Sequence, residues 1–86
     1  MAKYRLFIKP SAVKEIEAIS GKKNRQRIMN RIGNLSENQR PQDYEKLSGH
    51  DKYRVRQGPF RIVYNVDDGR LQVTIFKVGH RKDIYR

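Results

Sequence analysis

The run "FRIVYNVDDGRLQVTIFKV", residues 60 to 78, alternates apolar and polar side chains on either side of an Asp-Gly pair. A period of two around such a pair fits a β-hairpin with one buried face and is incompatible with a helix. Asp68-Gly69 suits a type I′ turn, whose central residues take left-handed backbone angles. A two-residue turn there pairs Asp67 with Arg70, Val66 with Leu71, Tyr64 with Val73 and Ile62 with Ile75. Even-numbered residues of the first strand then meet apolar partners throughout. A slip of one residue would turn all of them to the other face, so the pattern is self-consistent. Arg61 falls on the opposite face, across from Phe76, with Val63 opposite Thr74 and Asn65 opposite Gln72. That face is mixed polar and aromatic, a surface rather than a core.

The preceding stretch, "YRVRQGPF", extends the sheet. A two-residue Gly58-Pro59 turn pairs Val55 with Ile62 and Tyr53 with Tyr64, which puts four apolar or aromatic residues together. Arg54 then faces Val63, and Arg56 lies directly across from Arg61. Three guanidinium groups share one face of a three-stranded antiparallel sheet. Two like charges about 5 Å apart repel by about 0.8 kcal/mol in water and about 3 kcal/mol at an effective dielectric of 20. Cross-strand like charges are disfavoured for that reason. An anion on that face would offset the cost, and phosphate is the natural one, because guanidinium donors match its oxygens bidentately.

The N-terminal half reads differently. "KYRLFIK" alternates as a strand with Tyr4, Leu6 and Ile8 on one face, and Pro10-Ser11 breaks it. Ser11 is placed to cap a helix starting at Ala12, with Ala12, Val13, Ile16 and Ile19 as its apolar stripe and Gly21 at its end. A second helix is expected from about Asn24 to Leu35, with Ile28, Ile32 and Leu35 at helical spacing. Its other face carries Arg25, Arg27 and Arg31. The two helices joined by "SGKKN" form an αα-hairpin, and "SENQRPQDYE" reads as a polar connector. The expected architecture is α+β: an N-terminal strand, a helical hairpin and a three-stranded antiparallel meander (βααβββ), helices packed on one face of the sheet. With 86 residues the chain has room for one small domain, residues 1–86.

Charge narrows the partners. Twenty Lys and Arg against nine acids give +11. Residues 1–43 hold 10 basic and 4 acidic residues and residues 44–86 hold 10 and 5, so the halves carry +6 and +5. This is a basic body and not a basic tail, and it calls for a polyanion. The absence of cysteine excludes disulfides and thiolate zinc sites. With only two histidines as well, no metal or other cofactor is expected. No apolar run approaches 18 residues and the start is too charged for a signal peptide, which points to a soluble, cytoplasmic protein without a membrane partner. No Ser-His-Asp set, P-loop or dinucleotide fingerprint is present.

Two motifs stand out in the C-terminal half: "KLSGHDKYRVRQGPFRIVY" and "VGHRKDIY". With the order strand, two helices, three strands, they make the chain resemble the RelE branch of the RelE/ParE toxins of bacterial toxin–antitoxin pairs, over nearly its whole length. The resemblance implies a ribosome-dependent endoribonuclease that cuts mRNA in the ribosomal A site without a metal. In that chemistry the 2′-hydroxyl attacks the neighbouring phosphate and expels the 5′-oxygen of the next nucleotide. It needs orientation, charge neutralisation and proton transfer. It also implies an acidic cognate antitoxin, RelB-like, that neutralises the toxin.

Position by position, Arg61 and Arg81 match the family's phosphate-stabilising arginines, and Tyr85 its C-terminal tyrosine, which orients an RNA base. Arg54 and Arg56 occupy strand positions that are often lysines in the family. An arginine stays protonated and cannot serve as a base. The proton would then go to His80, an imidazole of the kind that titrates near neutrality, or to Tyr85. Lys52, Lys77, Lys82 and Arg86 are expected to contact RNA or the ribosome, and His50 in "SGHD" is read as a turn residue. Other readings of the same charge are a ParE-like gyrase inhibitor, set apart by lacking the Arg61, Arg81 and Tyr85 combination, and a non-catalytic basic nucleic-acid-binding module.

Overall fold

The computed structural model describes residues 3–47 and 51–80. Its elements are β1 (Arg5–Ile8), α1 (Pro10–Glu17), α2 (Lys22–Asn34), β2 (Glu45–Lys46), β3 (Tyr53–Gln57), β4 (Phe60–Asp67) and β5 (Gln72–His80). The strands form one sheet in the order β1-β5-β4-β3-β2, with β1 parallel to β5 and the other neighbours antiparallel. The α+β class and the helical layer on one face are as the sequence leads one to expect. Among the described residues, no helix is long and apolar enough to cross a membrane.

The core lies between the helices and the even face of the meander. Ala12, Ile16 and Ile19 from the first helix and its end, and Ile28, Ile32 and Leu35 from α2, cluster with Val55, Ile62, Tyr64, Val73, Ile75 and Val78. Completely burying an aliphatic side chain contributes about 1.5–3 kcal/mol, so this cluster supplies most of what holds the layers together. Tyr64 is the largest residue in it, and its hydroxyl donates to the Gln39 carbonyl at 2.8 Å. Burial pushes the Tyr64 phenol well above its ordinary range.

Helix starts differ from expectation. Pro10 opens α1 at its first turn, where the missing N–H has no intrahelical acceptor to lose. Ser11 is therefore inside the helix, the N-cap is Lys9, and no side chain caps it. Val13 is exposed, outside the apolar stripe. Gly21 takes φ +92° and serves as the N-cap of α2, which begins at Lys22 and not at Asn24. It starts the second helix more than it ends the first.

The β3–β4 hairpin has the expected register, Tyr53 with Tyr64, Arg54 with Val63, Val55 with Ile62 and Arg56 with Arg61. The β4–β5 hairpin does not. Its loop spans residues 68–71, so Asp67 pairs with Gln72, Val66 with Val73 and Tyr64 with Ile75. Side-chain chemistry accounts for the longer loop. The Asp67 carboxylate accepts the Arg70 N–H at 3.0 Å, and Leu71 (φ +53°) turns its carbonyl to the Arg5 N–H at 2.8 Å. A shift of two residues keeps every core residue on the core face. An irregularity at Val63/Tyr64 then leaves Phe76 as the extra residue of a bulge, and beyond it Ile62 meets Val78, Arg61 meets Gly79 and Phe60 meets His80.

β2 is an additional short edge strand, Glu45 pairing with Arg54 and Lys46 with Tyr53, within what reads in sequence as a connector. On the opposite edge, Tyr4 and Ile8 pack on the core, while Leu6 is exposed, β1 being the edge strand among the described residues.

Candidate functional site

Alternation sends Arg54 and Arg56 of β3 and Arg61 of β4 to the sheet face away from the helices, since their neighbours Val55 and Ile62 are buried in the core. These three expected site residues come together. The face is less open than the sequence implies: Arg61 is 5% exposed and Val63 is buried too. The Arg54 side chain lies flat, 11% exposed, while that of Arg56 is 60% exposed. A graded set results, with one guanidinium deep, one shallow and one in solvent.

The sequence reading missed a carboxylate at this site. Glu45 of β2 accepts a hydrogen bond from Arg54 Nη2 at 2.8 Å, and its other oxygen lies 3.8 Å from Arg56 Nη2. The hydrogen bond from Arg54 and its charge, with Arg56 and Arg61 behind, hold the Glu45 carboxyl below the ordinary carboxylate range. Chemically, Glu45 sets one carboxylate oxygen against each of Arg54 and Arg56, an anion at the place where a phosphate would engage them. Only the β2–β3 pairing brings it there, and two residues of strand carry no readable period.

His80 is placed elsewhere. Its cross-strand partner is Phe60, which packs against the core cluster, and the two rings meet edge to face at 6.0 Å between centroids. The imidazole is thus on the helix side of the sheet, while its neighbour Gly79 lies opposite Arg61. Together with Glu15, Ser20 and Asn24, Phe60 and His80 line a groove of about 520 Å³. The Glu15 carboxylate accepts the Val78 N–H at 3.0 Å, closing the β5 edge just past the end of β1. Lys77, exposed and opposite Val63, stands at that same edge. Lys52 reaches over the arginine face, its Nζ 4.5 Å from the centre of the Phe76 ring. Arg81, Lys82, Tyr85 and Arg86, with His50, lie outside the described residues. Among the described residues, no three His, Asp or Glu side chains gather as a metal site.

This fold, a helical hairpin on one face of a five-stranded sheet, is similar to that of solved RelE toxins. The chain superposes on the RelE–RelB complex of Pyrococcus horikoshii with TM-score 0.82 and 29% identity, covering 94% of this chain and 97% of that one. A free mutant form of E. coli RelE gives 0.78 and 26%, covering 96% and 90%. The RelBE2 toxin–antitoxin complex of Mycobacterium tuberculosis gives 0.80 at 21% identity, covering 92% and 99%.

Residues 6–85 match the family described as ParE toxin of type II toxin–antitoxin system, parDE, and the chain belongs to this RelE/ParE superfamily of toxins. It is also 44% identical over 34 residues to Toxin RelG of M. tuberculosis, a stretch spanning 40% of this chain and 39% of that protein.

Proposed function

We propose that this toxin is a ribosome-dependent endoribonuclease that cleaves mRNA in the A site, in the cytoplasm, and is held inactive by an acidic RelB-like antitoxin. The observation that carries the reading is the convergence of Arg54, Arg56 and Arg61 on one sheet face, with Arg61 buried. The 2′-oxygen forms a bond to the adjacent phosphorus, and the bond from phosphorus to the 5′-oxygen breaks. One proton leaves the attacking hydroxyl and one reaches the departing oxygen. Arg61, with Arg81, clamps the phosphate as its charge builds. Arg54 and Arg56 hold the strand, displacing Glu45 as they engage it. A fixed, partly desolvated guanidinium is suited to this, because preorganised donors in such sites are worth about 10²–10³-fold in rate.

The arginines cannot take the proton. Since the His80 ring lies with Phe60 on the helix side, we assign orientation and proton transfer to Tyr85 first. The antitoxin assignment is supported by the RelE–RelB complexes among the structural relatives and by the charge of +11. The test is to add the protein to ribosomes translating a defined mRNA and map the ends by primer extension. Cuts at A-site codons, absent on free RNA and lost in Arg61→Ala or Arg81→Ala, are expected. The family match carries a ParE description, which makes gyrase-dependent DNA breaks without mRNA cleavage the outcome that would overturn this reading.

A further inference from the structure

The arginine face continues past Arg61 into a second cationic cluster built around Phe76. This ring is the extra residue of the β4–β5 bulge. Lys9, which follows β1, places its Nζ 4.5 Å from the ring centre, and Lys52, which precedes β3, places its own at the same distance. The two ammonium groups are therefore at most 9.0 Å apart, twice 4.5 Å. Neither has a carboxylate within ion-pair distance among the described residues. Lysine stems are long enough to splay into solvent, yet these two converge from strands separated by β4 and β5. The ring's negative face attracts each of them without neutralising either. A lysine ammonium carries three N–H donors, which the ring face does not use up as a hydrogen-bond acceptor would, so they can serve an anion.

Next to this pair, Phe7 of β1 pairs with Thr74 and is 50% exposed. It lies two residues before Lys9 on the same edge, an aromatic ring open to solvent on the strand face away from Tyr4 and Ile8, which pack on the core. The cluster sits two to three residues along the sheet from Arg61 and one strand across, which is roughly 10 Å at ordinary strand spacing.

We propose that Lys9, Lys52 and Phe76 form a phosphate clip, and Phe7 a base-stacking platform, for a nucleotide of the RNA strand adjoining the one held at Arg61. This rests on the RNA reading above. The clip supplies charge and register, and Phe7 supplies sequence-tolerant stacking, as in other single-strand binders.

The test is binding of a short 2′-O-methyl oligoribonucleotide, which lacks the attacking hydroxyl, measured by fluorescence anisotropy across a salt series with the full chain. Each phosphate contact to a single strand contributes about 0.7 to the slope of log affinity against log salt. Lys9→Ala with Lys52→Ala removes the one clipped phosphate and is expected to make the slope shallower by about 0.7, and Lys9→Arg with Lys52→Arg to restore it. Phe7→Ala is expected to weaken binding about 5- to 100-fold with the slope unchanged. Arg54→Ala and Arg61→Ala are measured alongside. If the arginine variants weaken binding while the lysine pair binds with the unaltered slope, the clip is overturned and the function proposed above stands. If the arginine variants bind as the unaltered chain does, both fall.

Discussion

Glu45 decides how much of the arginine cluster is available to a ligand, and its effect has opposite signs for folding and for binding. Its carboxylate joins β2 to Arg54 and Arg56, so Glu45→Gln should lower the melting temperature slightly at neutral pH. The same change removes a competing anion and should tighten oligonucleotide binding several-fold, the size expected of a charge-assisted hydrogen bond between exposed groups. The pH dependence follows from the depressed carboxyl. The unfolded chain titrates this group near about 4.3. Its contribution to stability is therefore complete above that value and is lost as pH falls through the lower folded value. The melting-temperature gap between the unaltered chain and Glu45→Gln should be constant from pH 6 to 8 and close on acidification. A gap that widened in acid would contradict the assignment. The Arg54 and Arg56 placements were legible from strand parity alone. Glu45 was not, because its role depends on a pairing between segments nine residues apart, with no periodicity to announce it.

The two hairpins show which local signals determine an element and which do not. Gly58-Pro59 gave the right register because glycine adopts φ +59° at no steric cost and proline supplies the next φ. No atom outside the turn lies within 4 Å of a Cβ at Gly58. Gly58→Ala should therefore cost only the left-handed backbone, about 1–2 kcal/mol, and lower the melting temperature by roughly 4–16 °C for a domain this size. Because the turn places Arg56 across from Arg61, oligonucleotide binding by the folded fraction should stay within about twofold. Asp68-Gly69 misled for a different reason. Asp67 engages the Arg70 N–H, while Asp68 is held by the Tyr4 hydroxyl at 2.7 Å and Arg40 at 2.8 Å. Tertiary partners of the loop outweighed the local dipeptide preference. The core survived because the shift was even, and the bulge was invisible because no local signal at Val63, Tyr64 or Phe76 breaks the period of two. Core truncation should separate fold from site: Ile75→Ala, far from the arginines but fully buried, should cost about 2–5 kcal/mol. Guanidinium unfolding would measure it.

At the scale of the molecule, the nine acids are not spread evenly against the twenty bases. Asp43, Asp67 and Asp68 pair with Arg31, Arg70 and Arg40, all away from the β3–β4 turn. Asp67 and Asp68 stand at the far end of β4 from Arg61, where Arg70 and Arg40 balance their charge, so the excess of cations is greater at the Arg61 end. A strand of RNA laid across the arginine face meets Glu45 as its competitor among the described carboxylates. Such a surface gains stability when a polyanion binds the folded form. At ligand concentrations about 100 times Kd the gain is about 2.7 kcal/mol, which corresponds to a rise in melting temperature of roughly 10–20 °C for a chain of this length. A single-stranded oligoribonucleotide should produce that rise at low salt. Half-molar sodium chloride should abolish most of it, because release of counterions from the strand no longer favours binding. A shift that persisted in high salt would mean that the stabilisation comes from apolar contact, and the electrostatic account of this face would fail.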